Sequence, residues 1–116
     1  MKTYHGRRTP RGCVVTVHVS NEPGEEIVRP LNPRFDIRNH SPTGFEWGYG
    51  GSGPAQLALA ICADALGEEV APSVYQEFKR RVIAALPHAA STFDLTLQEV
   101  LRVAQAIRKE QKREAR

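Results

Sequence analysis

The feature that most constrains this chain is the segment from Pro54 to Leu66, which is apolar nearly all round and is followed by Gly67. Proline at the first helical position and glycine just past the last are typical of helix ends, so this segment predicts one uninterrupted helix. A helix that lacks a polar face must be covered on most sides, and its many alanines permit close packing. We therefore expect it to be the largely buried centre of the fold.

Strand signals lie N-terminal to this helix. Apolar and polar residues alternate over 13–19, which predicts a half-buried strand. A turn signal at 21–24 is followed by a returning strand over 27–31, and Pro30 places that strand at a sheet edge. A third short strand is predicted over 35–38. The N-terminal third is therefore expected to form an antiparallel β-meander of two to four short strands.

Two more helices are expected after the apolar one, which makes the fold class α+β. The second is predicted over 72–86, and the third begins at Thr96, where Glu99 completes a capping box. With 116 residues the chain has the size of one domain. We place that domain at 1–108, followed by a charged tail over 109–116 that is helical or frayed.

Composition excludes several classes of protein. No run approaches the ~20 apolar residues of a membrane-spanning helix, and the basic, polar N-terminus shows no secretory signal. Cys13 and Cys62 match no zinc or redox spacing, so we expect both to be reduced and buried in a cytoplasmic protein. The four histidines are too scattered to promise a metal site. We therefore predict neither a metal nor a cofactor.

The most informative stretch is 40–53, which leads directly into the apolar helix. The continuous string HSPTGFEWGYGGSGPAQLALAI resembles the signature of a family of small bacterial, phage and mobile-element proteins known only as a domain of unknown function. The segments YHGRRT at 4–9 and DIRN at 36–39 resemble other parts of that family, and the resemblance spans roughly 4–97. It implies almost nothing about activity, so the residues themselves must supply the functional hypotheses.

Residues 48–53 fit G-x-G-x-x-G before a helix, which is half of a dinucleotide-binding fingerprint. The preceding 45–47 is a poor buried strand and the chain is too short for a doubly wound sheet, so a Rossmann site is not predicted. A Walker loop would need a lysine after the glycines. Backbone N–H groups at a helix N-terminus can still bind a small anion, here Gly50, Gly51 and Ser52. Alternatively, the glycines only allow tight turns and close packing.

Three alternating aromatic residues in this stretch would share one face of an extended segment. Phe45 is expected in the core of so small a domain. Trp47 and Tyr49 each carry a polar group, and they either cap the core or stack on a nucleobase. Stacking would add a base-binding surface to the anion site.

The predicted ligand-binding set is completed by two residues upstream of the glycines, Arg38 and His40. Arg38 or Arg34 would supply positive charge, and Glu46 is expected to pair with one of the same two arginines. No recognised triad surrounds His40, so we predict binding without catalysis. The whole set is Arg38, His40, Trp47, Tyr49, Gly50, Gly51 and Ser52.

Three functions fit these observations. The first is a non-enzymatic binder of a small anionic or nucleotide-like ligand, for example a sponge for a cyclic-nucleotide immune signal. The second is a protein that inhibits a host defence nuclease, and the third is a nucleic-acid-binding accessory protein of net charge +3. The last two would use cations of the second and third helices, unless these merely form a solvated face: Lys79, Arg80, Arg81, Arg102 and Arg108. A homodimer is also expected, because so short a chain has little else to cover an apolar helix.

Overall fold

The computed structural model describes residues 1–115 and shows helices covering one face of an antiparallel sheet. The elements in chain order are β1 Lys2–Thr9, β2 Gly12–Val19, β3 Ile27–Pro30, α1 Ser52–Leu66, α2 Ala71–Phe78, a π-helical turn Lys79–Ile83, β4 Thr92–Thr96 and α3 Leu97–Glu114. The α+β class and the largely buried first helix are thus confirmed. No helix in residues 1–115 is long and apolar enough to cross a membrane.

The sheet has the strand order β3-β2-β1-β4, and all neighbouring strands are antiparallel. The expected edge position of β3 is confirmed. Sequence alternation does not reveal β1, because its fully inward positions are Tyr4 and Gly6 among polar residues. The sequence does not predict the strand β4 either, because its alternation covers only five residues. It follows the second helix and returns to pair with β1, so that Phe93 lies opposite Gly6. The sheet is therefore a meander completed by a strand from the C-terminal half.

The short strand predicted over 35–38 is wrong, because these residues belong to a turn. The Ile37 N–H donates to the Arg34 carbonyl at 3.0 Å, and Arg34 adopts a positive φ of 59°. Its guanidinium group binds the Asp36 carboxylate at 2.9 and 3.0 Å and Glu68 at 2.6 Å. Arg34 thus combines a backbone conformation that few residues other than glycine adopt with a guanidinium group bound by two carboxylates.

Helix α1 lies at the centre of the molecule. Every residue from Gly53 to Ala63 is buried. The side chains around it come from the sheet and from both other helices, and include Val17, Phe78 and Val100. A single chain therefore covers this helix, and the reason given above for a homodimer does not apply; the oligomeric state stays a prediction.

The helix predicted over 72–86 is interrupted by the π-helical turn. The Ala84 N–H donates to the Lys79 carbonyl, five residues back, at 2.8 Å, which is the hydrogen bond of a π-bulge. The extra residue rotates Ile83 rather than Val82 fully into the core. The π-helical turn also leaves the Ile83 carbonyl available to accept a hydrogen bond from the Gly48 N–H.

Helix α3 begins as the capping box predicts. The Thr96 hydroxyl accepts from the Glu99 N–H at 3.1 Å, and the Glu99 carboxylate accepts from the Thr96 N–H at 3.3 Å. The helix continues past Arg108 to Glu114, with exposed side chains throughout that last part. Its buried positions are Val100, Ala104 and Ile107.

One buried amide fixes the chain that leads to the glycine-rich segment. The Gln56 side chain is fully buried on α1. Its Oε1 accepts from the backbone N–H groups of His40 at 2.7 Å and Ser41 at 3.2 Å. Its Nε2 donates to the carbonyls of Pro33 at 2.6 Å and Arg38 at 3.1 Å. Gln56 therefore replaces secondary structure as the hydrogen-bond partner of this irregular segment.

We expect Gln56→Met to lower the free energy of unfolding by about 3 kcal/mol, because methionine has a similar volume but leaves buried backbone groups without partners. Urea denaturation measures the change. The matched control is Gln105→Met on the exposed side of α3, which should stay within about 0.5 kcal/mol of wild type. Equal effects of the two substitutions would contradict this role of Gln56.

Candidate functional site

The glycine-rich segment, residues 44–53 and here called the glycine loop, passes so close to its neighbours that two glycines have no room for a side chain. A Cβ atom on Gly48 would lie 2.6 Å from the His88 Cα, and Gly48 has a φ of +86°. A Cβ atom on Gly53 would lie 2.8 Å from the Glu46 Cβ. The close-packing interpretation of the glycines therefore holds at these two positions.

Arg8, near the end of β1, connects the glycine loop to the segment before β4. One terminal nitrogen of its guanidinium group donates to Glu46 Oε1 and to the Trp47 carbonyl, both at 3.0 Å. The other donates to the carbonyls of His88, at 3.1 Å, and Ala90. The guanidinium carbon also lies 4.4 Å from the Trp47 ring centre, a cation–π distance. Arg8 thus fixes three parts of the chain at once.

Trp47 is fully buried beneath this network. Its Nε1 donates to the Ala90 carbonyl at 3.2 Å, and its ring meets Phe93 edge to face at 4.8 Å between centres. The next residue, Gly48, donates its N–H to the Ile83 carbonyl at the π-helical turn, at 2.9 Å. Trp47 therefore caps the core and has no exposed face for a nucleobase, so the stacking role predicted for it does not fit this position.

The ion pair expected for Glu46 forms with Arg8 and not with Arg34 or Arg38. Arg34 is already bound to Asp36 in its own turn and to Glu68 after α1. The prediction missed Arg8 because the pair joins residues far apart in sequence, and only the sheet brings them together.

Burial and hydrogen bonding act in opposite directions on the pKa of Glu46 but together raise that of the neighbouring Cys13. Burial raises the pKa of Glu46, but hydrogen bonds from Arg8, the Trp47 N–H and Cys13 outweigh it, so the net pKa lies below its ordinary value. Burial and the Glu46 carboxylate raise the pKa of the Cys13 thiol to about 11. Both cysteines are free thiols, Cys62 buried as expected and Cys13 only half-buried. Cys13 is therefore a neutral thiol near pH 7.

An open depression of about 570 Å³ lies over this framework. We call it the glycine-loop groove, and its lining residues are Arg8, Glu46, Tyr49, His88 and Ala89. The Tyr49 side chain is 42% exposed, and its ring stands edge-on to His88 with 5.8 Å between centres. Of the two aromatic residues predicted to bind a ligand, only Tyr49 therefore offers an accessible ring.

The chain from Tyr49 leads through the predicted anion-binding residues into α1. Space beside Gly50 is open, and Ser52 is exposed as the first helical residue. The Gly51 carbonyl accepts from the Ala55 N–H at 3.0 Å, which begins the helix. Tyr49 and the first turn of α1 thus lie next to each other along the chain.

Arg38 and His40 do not line the glycine-loop groove. His40 Nε2 lies 2.8 Å from the Tyr75 hydroxyl on α2. Burial lowers the pKa of His40, and the positive charges of Arg38 and Lys79 lower it further. Of the predicted ligand-binding set, only Tyr49 therefore lines the glycine-loop groove. Gly50, Gly51 and Ser52 follow it in the chain, Trp47 is buried, and Arg38 and His40 lie elsewhere, near Lys79.

The predicted cationic surface also divides. Arg80 and Arg81 both bind Glu77, and Arg81 also binds Glu110, so much of their charge is neutralised. Arg102 and Arg108 instead belong to an exposed face of α3. That face borders an open depression of about 540 Å³ and comprises Arg102, Gln105, Ala106, Arg108, Lys109 and Lys112. We call this face the α3 cationic face.

The sequence does not identify Arg8, His88, Lys109 and Lys112 as members of these sites. The helical spacing of Arg102, Lys109 and Lys112, seven and three residues apart, could have indicated one face if the tail had been included in the helix. Nothing local marks Arg8 or His88, because their positions depend on the pairing of β1 with β4. Among the residues described, no three His, Cys, Asp or Glu side chains are arranged to hold a metal ion.

Comparison with known proteins identifies the family of this chain. The profile of a protein family described as "Family of unknown function (DUF6166)" matches residues 4–106. This confirms the resemblance to a family known only as a domain of unknown function. No curated protein and no solved structure matches the chain.

We expect the stability of the protein to fall as the pH drops below about 6.5 because of His40. Its pKa is lower in the folded chain than its ordinary value of 6.5, so the unfolded chain binds the proton more readily and acid favours unfolding. Urea denaturation at pH 7.5 and 5.5 should show a smaller loss for His40→Gln than for wild type.

Tyr75→Phe is the control for this pH experiment, because it leaves the burial of His40 and both neighbouring cations in place. It should keep the pH dependence of wild type. If wild type and His40→Gln lost the same stability over this range, the assignment to His40 would be wrong.

Proposed function

The chain belongs to DUF6166, a family of unknown function, and we propose that it binds a small anionic or nucleotide-like ligand in the glycine-loop groove. The proposal rests on one contrast. The residues at the bottom of the groove are held in place by buried contacts, whereas the residues around its edge are exposed to solvent. Arg8 and Trp47 hold the floor through hydrogen bonds and packing. Tyr49 and His88 stand above it around an open volume of about 570 Å³. A preformed concave site of this kind needs little reorganisation to bind.

Tyr49 would contact the flat part of such a ligand. An aromatic ring that is partly exposed can stack on any nucleobase, and stacking contributes about 1–3 kcal/mol per base. The Glu46 carboxylate lies in the same groove and can accept hydrogen bonds from base amino groups. Both contacts favour a base-like group over a simple aliphatic anion.

The phosphate end of the ligand would lie toward the first turn of α1. Gly50, Gly51 and Ser52 carry backbone N–H groups next to the positive end of the helix dipole, and the exposed Ser52 adds a hydroxyl. Arg8 does not serve as the anion-binding cation in this proposal, because its two terminal nitrogens already donate to four acceptor atoms.

Binding without chemistry fits the polar groups of this groove. Glu46 is held ionised by Arg8, so it is a poor general acid, and the nearby Cys13 is held as a neutral thiol. A cytoplasmic sponge for a cyclic-nucleotide immune signal, carried by a phage or mobile element, is the most specific form of this proposal.

The α3 cationic face supports a second candidate, the binding of nucleic acid or of an acidic protein such as a host defence nuclease. Arg102, Lys109 and Lys112 form no ion pair within the part of the chain that the structure describes. Repeated positive charge along one helix face attracts polyanions. This candidate needs no contribution from the glycine loop.

We expect Tyr49→Ala to weaken ligand binding at least tenfold, because it removes the stacking ring without disturbing the buried floor. Isothermal titration with a panel of mononucleotides, cyclic mononucleotides and cyclic dinucleotides measures the dissociation constants. Phe35→Ala is the matched control, since Phe35 is 43% exposed but lies in the turn that contains Arg34. It should leave the affinity unchanged.

The outcomes of this titration separate the two candidates. No binding across the panel, or equal weakening by both variants, would contradict a ligand site in the groove. If labelled oligonucleotides bind instead, with an affinity that falls steeply with salt and is lost in a Lys109→Gln, Lys112→Gln double variant, the α3 cationic face is the binding site.

A further inference from the structure

The sheet face opposite the helices carries two copies of the pattern Thr-x-His, at 3–5 in β1 and 16–18 in β2. Residues two apart in a strand point to the same face. The antiparallel register places Thr3 opposite His18 and His5 opposite Thr16. Two imidazoles and two hydroxyls therefore form one cluster on adjacent central strands, with the His5 and His18 ring centres 5.9 Å apart.

A carboxylate orients each imidazole in this cluster. His5 Nδ1 lies 2.6 Å from Asp94 on β4, and His18 Nδ1 lies 2.7 Å from Glu26 just before β3. A carboxylate accepts the Nδ1 proton and leaves Nε2 for other partners. The Nε2 of His18 is 3.0 Å from the Thr16 hydroxyl, so it accepts that hydrogen bond. Both histidines thus have the orientation that acid–base catalysis requires.

The cluster is accessible. Each histidine side chain is 33% exposed. Together with Thr3, Glu26 and Asp94 they line an open depression of about 300 Å³, which is separate from the glycine-loop groove. Arg7 lies two residues beyond His5 on the same face and is exposed. Its positive charge favours an anionic substrate.

We propose that His5 and His18 form an acid–base pair that cleaves a phosphodiester with a neighbouring hydroxyl group, as in RNA. Such a linkage supplies its own nucleophile, so the reaction needs one base and one acid but no nucleophile or metal from the protein. The Thr3 hydroxyl lines the same depression and can donate to a phosphoryl oxygen. The Thr16 hydroxyl would leave His18 Nε2 to the attacking hydroxyl and donate instead to the His5 carbonyl, which lies 3.5 Å away. This proposal concerns another face than the ligand-binding groove, and the expectation of a non-enzymatic protein then applies to that groove alone.

In the proposed step, His18 Nε2 takes the proton of the ribose 2′-hydroxyl as its oxygen bonds to phosphorus. The bond from phosphorus to the 5′-oxygen breaks, and protonated His5 gives its Nε2 proton to that oxygen. The products are a 2′,3′-cyclic phosphate and a 5′-hydroxyl, and no redox change occurs. The ionisable groups that face the pair are Asp94, Glu26 and Arg7, besides the two histidines themselves.

The experiment follows cleavage of the ribodinucleotide UpA by the full chain in buffer with EDTA, using chromatography to detect the cyclic phosphate. We expect turnover of UpA but not of its deoxy analogue, which lacks the attacking hydroxyl. His5→Gln and His18→Gln should each lower the rate about 100-fold or more, and the rate of wild type should show a bell-shaped pH profile. These side chains lie on the solvent face, so both variants should keep the wild-type melting temperature.

Carboxylate variants supply the matched control. Glu26→Gln should lower the rate and shift the acidic limb of the pH profile, because His18 is the base that must be unprotonated, whereas Glu22→Gln, in the exposed turn before β3, should do neither. The proposal is overturned if wild type cleaves UpA no faster than a variant that carries both His5→Gln and His18→Gln. It is also overturned if EDTA abolishes cleavage or if the deoxy analogue is cleaved equally well.

Discussion

The enclosure of α1 is the constraint on which the rest of this structure depends. A helix that is buried from Gly53 to Ala63 needs apolar neighbours on every side, and a chain of 116 residues has few segments to provide them. The sheet covers one side, the other two helices cover another, and irregular chain must close the N-terminal end. The only fully buried polar side chain of the helix, Gln56, serves the backbone of that irregular chain.

The way in which the chain covers the N-terminal end of α1 also determines which functional side chains remain exposed to solvent. The hydrogen bonds of Arg8 hold the glycine loop against the core. Trp47 is buried there, and Gly48 lies in contact with the backbone at His88. Tyr49 stays exposed at the edge of the loop, and together with His88 it borders the glycine-loop groove. Since the helices cover only one face of the sheet, its other face is open to solvent and carries the cluster that contains His5 and His18. Both candidate sites thus follow from the same packing requirement.

The sequence predicts the parts of this arrangement that are determined locally. The proline and glycine at the ends of α1, the alternation in β2 and the capping box at Thr96 all identify elements that the structure contains. Contacts between distant segments are not predictable in this way. The contacts of Arg8 with Trp47 and with the segment before β4 depend on the pairing of β1 with β4. β1 has no alternating apolar pattern, and the alternation of Phe93 and Leu95 in β4 covers only five residues.

The central claim is that Arg8 holds the glycine loop as a fixed framework, and native-state hydrogen exchange at the Gly48 amide tests it most directly. This N–H donates a hydrogen bond to the Ile83 carbonyl, so it should be protected from exchange nearly as well as core amides of α1 such as Ile61. Arg8→Lys should reduce that protection selectively, because one ammonium group cannot replace a guanidinium with four acceptors. Arg7→Lys should not. Exchange at Gly48 that is as fast as in exposed turns, or unchanged in Arg8→Lys, would contradict the claim.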